Sequence, residues 1–258
     1  MSSGKMRSVS LLGAVSLLLA SLAVADVKET EEFAFDINSG GRVSLENING
    51  DIRITGNDDV TVNIVARKKA GKQEYMDELK IVVDADSDYI RIETRHPSNK
   101  DSWLNWGNNH SGSVSYELMV PAGVNLDKIS TVNGDVEISS MSGKVKAETV
   151  NGDLVASDLV EDVDLETVNG GINAEFDSLG ASQRVSAEAV NGKIVLKLPA
   201  DASARLHAET VNGSIDADDF DLDIDKGFIG RECDGQIGDG DARIALDTVN
   251  GSIRIVKK

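Results

Sequence analysis

The chain has 258 residues and a formal net charge of −18, from 44 acidic and 26 basic side chains. A surface this negative repels phosphate backbones and anionic lipid head groups, so the composition excludes nucleic acid as a partner. Cys233 is the only cysteine, which excludes an intramolecular disulfide.

The first 25 residues have the features of a secretory signal peptide. Lys5 and Arg7 precede an apolar run over residues 9–24, and Ala25 ends a small-residue cleavage site. We therefore expect residues 1–25 to be cleaved after Ala25, leaving a periplasmic or secreted protein of a Gram-negative bacterium. An uncleaved membrane anchor is the alternative, but the run is shorter than the ~20 residues that a spanning helix needs. No transmembrane segment is predicted after cleavage.

Residues 26–124 are predicted to form an irregular β region that caps the N-terminal end of the molecule. Short runs alternate apolar and polar residues, as strands with one buried face do, and residues 73–80 are the one predicted helix. The polar loop 96–112 contains both tryptophans, Trp103 and Trp106. Exposed tryptophans often anchor partners, so these two are candidate partner-binding residues. The alternative is that both fold back over the coils and close the core.

From residue 125 to the C-terminus the sequence repeats a four-residue motif, represented by Thr167-Val168-Asn169-Gly170. From Gly134 onward, successive motif glycines are 18, 18, 22, 21 and 38 residues apart. A period near 20 is typical of solenoids. We therefore predict an all-β fold in which residues 125–258 form a single-stack β-solenoid, similar to a parallel β-helix, with 18–22 residues per coil. The predicted turn residues are Asn49, Gly50, Asn133, Gly134, Asn151, Gly152, Asn169, Gly170, Asn191, Gly192, Asn212, Gly213, Asn250 and Gly251.

Each motif is predicted to be a corner between two strands. Asn and Gly tolerate the positive φ angle of a tight turn, so the motif valine is predicted to point inward while Asn and Gly make the bend. The asparagines of neighbouring coils can then stack as a ladder. A bulky residue at Gly170 should cost at least ~1–2 kcal/mol if φ is positive there. Apolar columns on both sides of the motif, such as Val145, Ala147 and Leu154 in one coil, are predicted to form the core.

Two features near the C-terminus depart from the regular repeat. If residues 232–237 are aligned with the motif, Cys233 occupies a valine position, which predicts a buried and inert thiol. A reactive or intermolecular cysteine is the alternative. Residues 253–258 form a last predicted strand, and its two final lysines are predicted to protect an exposed edge.

A column of acids lies just before the motif threonine or alanine. Equivalent residues of adjacent coils are ~4.8 Å apart, and like charges at this distance repel by ~1 kcal/mol per pair in water. Ca²⁺ takes several oxygen ligands, so weak Ca²⁺ binding is one prediction, and no other cofactor is indicated. Neighbouring lysines such as Lys146, together with solvent screening, are the alternative. This acid column consists of Glu148, Glu166, Glu188, Glu209 and Asp247.

Several motifs resemble those of a bacterial family of exported β-strand-repeat proteins, labelled adhesin-like or domains of unknown function. The resemblance rests on residues 41–54, on the six motif coils and on residues 238–244. It covers nearly the whole mature chain and implies the repeat fold, but it brings no catalytic motif. A weaker similarity, to the polymerising bactofilins, is one of architecture alone.

We therefore predict a non-enzymatic, adhesin-like interaction or structural module of the cell envelope, whose partner is an envelope protein or a glycan. One alternative is a bactofilin-like scaffold that self-associates through the solenoid ends. A second is a carbohydrate-active β-helix enzyme. Such enzymes need carboxylates that converge on a groove, whereas the acid column is a single file beside the turns. No catalytic residue is predicted.

Overall fold

The computed structural model describes residues 26–97, 112–226 and 230–258. The predicted signal peptide and the two tryptophans, Trp103 and Trp106, lie outside these ranges. One short helix, α1, spans Gln73–Glu78, inside the predicted segment. The first seven strands are Val27–Asp36 (β1), Arg42–Glu46 (β2), Ile52–Asn57 (β3), Thr61–Ala70 (β4), Lys80–Asp86 (β5), Tyr89–Arg95 (β6) and Gly112–Pro121 (β7).

The later strands come in pairs that repeat along the chain, except for Asp225–Lys226 and Arg231–Ile237, which pair antiparallel with each other. A 3-10 helix, Asp218–Phe220, follows the strand Ile215–Asp216. None of the helices in the described residues has the length and apolar character needed to cross a bilayer. The strands are Asn125–Asn133 (β8), Val136–Met141 (β9), Val145–Asn151 (β10), Leu154–Leu159 (β11), Val163–Asn169 (β12), Ile172–Glu175 (β13), Arg184–Asn191 (β14), Ile194–Leu198 (β15), Ala204–Asn212 (β16), Ile215–Asp216 (β17), Asp225–Lys226 (β18), Arg231–Ile237 (β19), Ala242–Asn250 (β20) and Ile253–Lys257 (β21).

The strands form two sheets around one hydrophobic core. In the described residues, sheet 1 has ten strands in the order β1-β4-β7-β3-β9-β11-β13-β15-β21-β17. Sheet 2 has eleven, in the order β18-β19-β16-β20-β14-β12-β10-β8-β2-β6-β5. Each regular coil gives one strand to each sheet and pairs in parallel with its neighbours. The predicted all-β, solenoid fold class is confirmed.

Equivalent residues stack in columns because neighbouring coils pair in register. In sheet 2, Ala147 pairs with Ile129 on one side and with Leu165 on the other. In sheet 1, Leu154 pairs with Ile172. All five side chains are buried. The apolar columns that the sequence predicts therefore form the core, and their alternation follows the two-residue period of a strand.

The motif valine faces the opposite way to the prediction, and the motif threonine takes the inward position. Thr149 is only 3% exposed, and its Oγ1 donates to the carbonyl oxygen of Gly134 at 3.0 Å. Val150 is 39% exposed. Because Val145 and Ala147 point inward, the same strand alternation turns residue 149 inward and residue 150 outward. The prediction of an inward-pointing motif valine is wrong.

The motif glycine is required by close packing of coils more than by an unusual backbone angle. A Cβ atom on Gly152 would lie 1.9 Å from the carbonyl oxygen of Gly134. At Gly170, φ is +159°, and the contact with the Gly152 carbonyl oxygen would also be 1.9 Å. No motif asparagine has a positive φ angle, so the predicted left-handed turn is wrong for Asn. The backbones of adjacent coils touch at the corner, so a side chain has no room there.

The motif asparagines form a hydrogen-bonded ladder along the stack. Asn151 Nδ2 donates to Asn133 Oδ1 at 2.9 Å, and Asn169 Nδ2 donates to Asn151 Oδ1 at 3.0 Å. Every rung donates in the same direction, towards the N-terminal end. These bonds tie each corner to the next coil. In spatial order the asparagine ladder is Asn212, Asn250, Asn191, Asn169, Asn151, Asn133 and Asn49.

The last coil of the chain is not the last coil of the stack. β20 lies between β14 and β16, and β21 lies between β15 and β17. The chain therefore lays down an outer coil, β16 and β17, before it returns to fill the gap. Ile253 and Ile255 are 0% exposed, and Lys257 lies over the Phe220 ring of the 3-10 helix at 5.1 Å. The prediction of an exposed edge at residues 253–258 is wrong.

Regular coils also extend further towards the N-terminus than residue 125. β2 pairs in parallel with β6 and β8, and β3 pairs in parallel with β7 and β9. The coil formed by β2 and β3 thus lies inside the stack, with β6 and β7 outside it. The irregular part of residues 26–124 is limited to β1, β4, β5 and α1, and the three strands lie beyond β6 and β7 at the N-terminal end of the stack.

Antiparallel strands flank both ends of the stack. β4 pairs antiparallel with β1 and β7, β5 with β6, and β19 with β16 and β18. Cys233 lies on β19 and is 0% exposed, and burial raises the pKa of its thiol. The predicted buried thiol is therefore confirmed. The alignment of residues 232–237 with the motif is wrong, because β19 is an antiparallel strand and not a coil corner.

The imidazole of His96 should make stability depend on pH. Its Nδ1 lies 3.0 Å from the Tyr75 hydroxyl, and burial lowers the pKa of His96. The unfolded chain binds a proton at this group near pH ~6.5, which the folded chain disfavours. The free energy of unfolding should therefore fall as the pH drops from about 7.5 to about 5.5. In urea denaturation, the free energy of unfolding of His96→Gln should decrease less over this pH range than that of the unaltered protein. If the free energies of the two proteins fell equally with pH, His96 would not have this role.

Candidate functional site

The motif valines form a straight row of exposed apolar side chains on the outer face of sheet 2. Val150 and Val168 are each 39% exposed, and the other rungs are similar. Because the strands pair in register, neighbouring rungs are one strand spacing apart, ~4.8 Å. We call this row the valine ladder. In spatial order it is Ile48, Val132, Val150, Val168, Val190, Val249 and Val211.

The acid column runs beside the valine ladder, two residues earlier on each strand. Glu148 pairs with Glu166, and Glu166 pairs with Glu188. Asp247 then pairs with Glu188 on one side and with Glu209 on the other. The structure therefore brings all five predicted acids into one file. Glu209 ends the file, although it precedes Asp247 in the chain, because the last coil is inserted.

A groove of about 740 Å³ follows both rows along sheet 2. The acid column, the motif threonines and the valine ladder line it, and Glu46, Asn47 and Glu93 continue the lining at the N-terminal end. Asn47 is held in place there, because its Nδ2 donates to the Val114 carbonyl oxygen at 2.8 Å. The groove thus carries one apolar row over its whole length and beside it a negative row that Ser130 interrupts between Glu46 and Glu148. This arrangement suits an elongated ligand.

Lysines offset part of the charge in the N-terminal half of the acid column. Lys146 Nζ lies 2.6 Å from Asp164 and 3.0 Å from Glu166, and hydrogen bonds to these two carboxylates raise the pKa of Lys146. Lys128 lies 3.6 Å from Glu148. Exposed pairs of this kind contribute up to ~1 kcal/mol each. The predicted lysine alternative is present here, and Ca²⁺ binding stays a prediction.

The carboxylates in the C-terminal half of the acid column still repel one another. Burial, and then the charges of Glu166 and Asp247, raise the pKa of Glu188. Burial also raises the pKa of Asp247, with His207 opposing and Glu209 adding to the rise. Among the ion pairs of the described side chains, none joins a lysine or arginine to Glu188, Glu209 or Asp247. This half is where a cationic ligand gains most.

The predicted site residues thus fall into three groups. The acid column lines the groove, and the motif asparagines and glycines form the corner beside it. Trp103 and Trp106 lie outside the described residues. The valine ladder was not among the predicted site residues, although the phase of strand alternation from Val145 to Val150 carried the signal.

The family model described as Toastrack DUF4097 matches residues 109–256, which is more than half of the chain. The chain belongs to the Toastrack DUF4097 family. The match begins just before β7 and ends within β21, so it includes the coils that carry most of the groove. No curated protein is significantly similar in sequence to this Toastrack chain.

Solved structures share the Toastrack fold at low sequence identity. A Clostridium sporogenes protein, provisionally named a cell adhesion protein, is 14% identical with a TM-score of 0.51, covering 89% of this chain and 100% of that one. A Bacteroides fragilis protein, provisionally named an adhesin, is 12% identical with a TM-score of 0.43, covering 88% and 97% of the two chains. The first of these similarities supports the fold, and neither assigns a ligand.

Proposed function

We propose that this Toastrack protein is an exported, non-enzymatic, adhesin-like interaction module of the cell envelope. Its groove holds a basic amphipathic helix of a partner protein. The observation that carries the proposal is the alignment of the valine ladder with the acid column along sheet 2. The provisional name of the C. sporogenes protein, which refers to cell adhesion, is consistent with an interaction role.

The valine ladder offers an apolar contact of helical length. Its seven rungs span six strand spacings of ~4.8 Å, or ~29 Å. A helix rises 1.5 Å per residue, so ~19 residues cover this distance. Apolar residues on one helical face recur ~5 Å apart along the axis, close to the spacing of the rungs. Aligned exposed apolar side chains of this kind mark interaction sites more often than scattered ones do.

The acid column supplies the charge complementarity. Lysines or arginines beside the apolar stripe of such a helix would lie over Glu188, Asp247 and Glu209, whose repulsion they would relieve. The net charge of −18 also attracts a basic segment over a longer range and speeds its association. A basic amphipathic helix therefore matches both rows, whereas a glycan matches neither the valines nor the charge.

The groove is preformed, which lowers the entropic cost of binding. Thr167 Oγ1 donates to the Gly152 carbonyl oxygen at 3.1 Å, and Asn169 belongs to the asparagine ladder. These bonds hold Val168 from both sides, and the same pair of bonds recurs at Val132, Val150, Val211 and Val249. On binding, the conformational entropy that is lost is then mainly that of the partner helix.

Self-assembly and catalysis have less support. In the part of the chain that the structure describes, the antiparallel strands β1, β5 and β18 end three of the four sheet edges, and the two-residue strand β17 ends the fourth. Short or antiparallel margins are poor templates for adding another parallel coil. Over most of its length the acid column is a single file, whereas a glycosidase needs two carboxylates placed across a cleft.

A designed helical peptide tests the proposal directly. The peptide has about 19 residues, with leucines on one face and lysines along its flanks. We expect saturable binding in fluorescence anisotropy at about 0.15 M salt. Val168→Lys should weaken binding at least ~10-fold, equal to ~1.4 kcal/mol, because it places a charge in the valine ladder.

Val155→Lys is the matched control. Val155 is 40% exposed and lies on β11 in sheet 1, away from the groove, so the same charge change should leave the affinity unaltered. A peptide of the same composition in scrambled order should bind much more weakly. Equal binding of the scrambled peptide, or equal affinities of the two variants, would refute the groove. Filaments of the mature protein in electron microscopy would favour the scaffold instead.

A further inference from the structure

A cluster of one histidine and four carboxylates lies at the C-terminal end of the acid column. Three adjacent strands of sheet 2 contribute it: Asp247 from β20, His207 and Glu209 from β16, and Glu232 and Asp234 from β19. Strand register sets His207 opposite Asp234, and Glu209 opposite both Glu232 and Asp247. The antiparallel return of β19 thus adds two acids beside the end of the column. We call this group the histidine cluster.

Two groups of three side chains within the histidine cluster are each close enough to share an ion. Potential ligand atoms of His207, Glu209 and Asp247 lie within 4.8 Å of one another, as do those of His207, Glu232 and Asp234. Ligand atoms around tetrahedral Zn²⁺ lie ~3.4 Å apart, at bond lengths of ~2.0–2.1 Å. Glu209 is exposed, so rotation of its side chain can bring its carboxylate to that separation.

Asp234 already orients the imidazole as metal sites require. His207 Nδ1 lies 2.8 Å from Asp234 Oδ1. In metalloproteins, a carboxylate bonded to one ring nitrogen fixes the ring and leaves the other nitrogen for the metal. Asp234 therefore acts as the positioning residue. His207 Nε2, Glu209 and Asp247 would then be the direct ligands, and water would complete the set, because Glu232 lies 3.9 Å from Nδ1 on the other side of the ring.

The charge balance of the histidine cluster also calls for a cation. Like charges directly opposite each other on neighbouring strands are destabilising, and Glu209 has a carboxylate opposite on both sides. Lys146 serves this purpose further along the acid column. Among the ion pairs of the described side chains, Glu209 and Asp247 have no lysine or arginine. The fold therefore assembles four acids around one imidazole.

We propose that the histidine cluster binds one Zn²⁺ ion through His207, Glu209 and Asp247. An imidazole ligand suits Zn²⁺, whereas Ca²⁺ takes oxygen ligands. The ion would join β16 to β20, and so clamp the outer coil to the inserted last coil. This site shares Glu209 and Asp247 with the C-terminal end of the acid column, so Zn²⁺ would compete there with Ca²⁺ and with the lysines of a partner helix. The Zn²⁺ proposal rests on the geometry of the histidine cluster and not on the proposed function.

Isothermal titration of metal-free protein, residues 26–258, with ZnCl₂ tests the proposal. We expect one Zn²⁺ per chain and a higher melting temperature with Zn²⁺, without the same response to Ca²⁺ or Mg²⁺. His207→Gln should weaken Zn²⁺ binding at least ~10-fold. Glu166→Gln, in the half of the acid column that Lys146 neutralises, is the matched control and should bind Zn²⁺ as the unaltered protein does.

Two results would overturn the Zn²⁺ site: Ca²⁺ that binds as tightly as Zn²⁺, or unaltered Zn²⁺ binding by His207→Gln. If that variant folds poorly, Asp247→Asn provides an independent loss of a ligand. NMR of the unaltered protein needs no variant, because Zn²⁺ bound at Nε2 must shift the imidazole signals of His207. Signals that stay in place while Zn²⁺ binds would place the ion elsewhere and refute the proposal.

Discussion

Removing residues 242–258 should abolish cooperative folding of the C-terminal part of the stack. In a solenoid whose coils stack in chain order, this deletion would only trim the last coil. Here it removes β20 and β21 from between two other coils. Four buried aliphatic side chains are lost, and each contributes ~1.5–3 kcal/mol, so the total of ~6–12 kcal/mol rivals the whole stability of a typical domain. They are Ile244, Leu246, Ile253 and Ile255.

Circular dichroism with limited proteolysis measures this effect. We expect the shortened protein to lose its cooperative thermal transition and to be cut rapidly in residues 204–241. Deletion of residues 26–36, which form the edge strand β1, is the control, because it removes no inner coil and should keep the transition. A shortened protein with the same melting temperature as the full chain would show that the stack does not need the inserted coil.

Gly152→Ala should lower the free energy of unfolding by about 3–5 kcal/mol. The new Cβ would lie 1.9 Å from the Gly134 carbonyl oxygen, and a backbone atom cannot rotate away as a side chain can. The two coils must therefore separate. Separation also weakens the 3.0 Å hydrogen bond from Thr149 Oγ1 to that same oxygen. Guanidinium denaturation measures the change.

Gly123→Ala is the matched control for the glycine prediction. A Cβ atom at Gly123 would meet only Ser142 Oγ, at 3.9 Å, so its stability should change by less than ~0.5 kcal/mol. If Gly152→Ala were equally harmless, the coils would be able to separate at the corner without loss. Gly170→Val, which adds a larger side chain at an equivalent corner, should destabilise the protein at least as much as Gly152→Ala.

The core was predictable because it depends on periodicities that are visible in the sequence. The spacing of the motif gives the length of a coil, and the alternation through Val145 and Ala147 gives the inward face. The direction of Val150 followed from the same alternation. The assumption that Asn and Gly form a left-handed turn led instead to the wrong prediction that the motif valine points inward. The glycine is needed because Gly152 touches Gly134 of the neighbouring coil, and no local sequence signal reports a contact between coils.

The order of coils could not be read from the repeats. Similar motifs indicate that coils stack on one another, but every motif coil offers nearly the same columns to a neighbour. The insertion of β20 between β14 and β16 is therefore a choice among nearly equivalent pairings. Cys233 was misaligned for the same reason, since an antiparallel strand and a coil share an alternating pattern.

The candidate site was predictable only in part. The acid column stood out because its members share a position in every repeat. His207 gave no such signal, since its partners Glu232 and Asp234 reach it through the antiparallel pairing of β19 with β16. The valine ladder was hidden by the expectation that valines are buried. Exposed apolar residues become informative only when their alignment in space is known.

The asparagine ladder gives the stack an electrical direction. Its side-chain dipoles all point the same way, as peptide dipoles do in a helix, and each bond polarises the next. An aspartate in place of Asn169 would still accept from Asn191, but it would set a carboxylate against Asn151 Oδ1. Loss of a single amide nitrogen, by mutation or by slow deamidation, would therefore be felt on both sides of the damaged corner. Because the asparagine side chains are linked in this way, chemical damage at one corner also affects the hydrogen bonds of its neighbours.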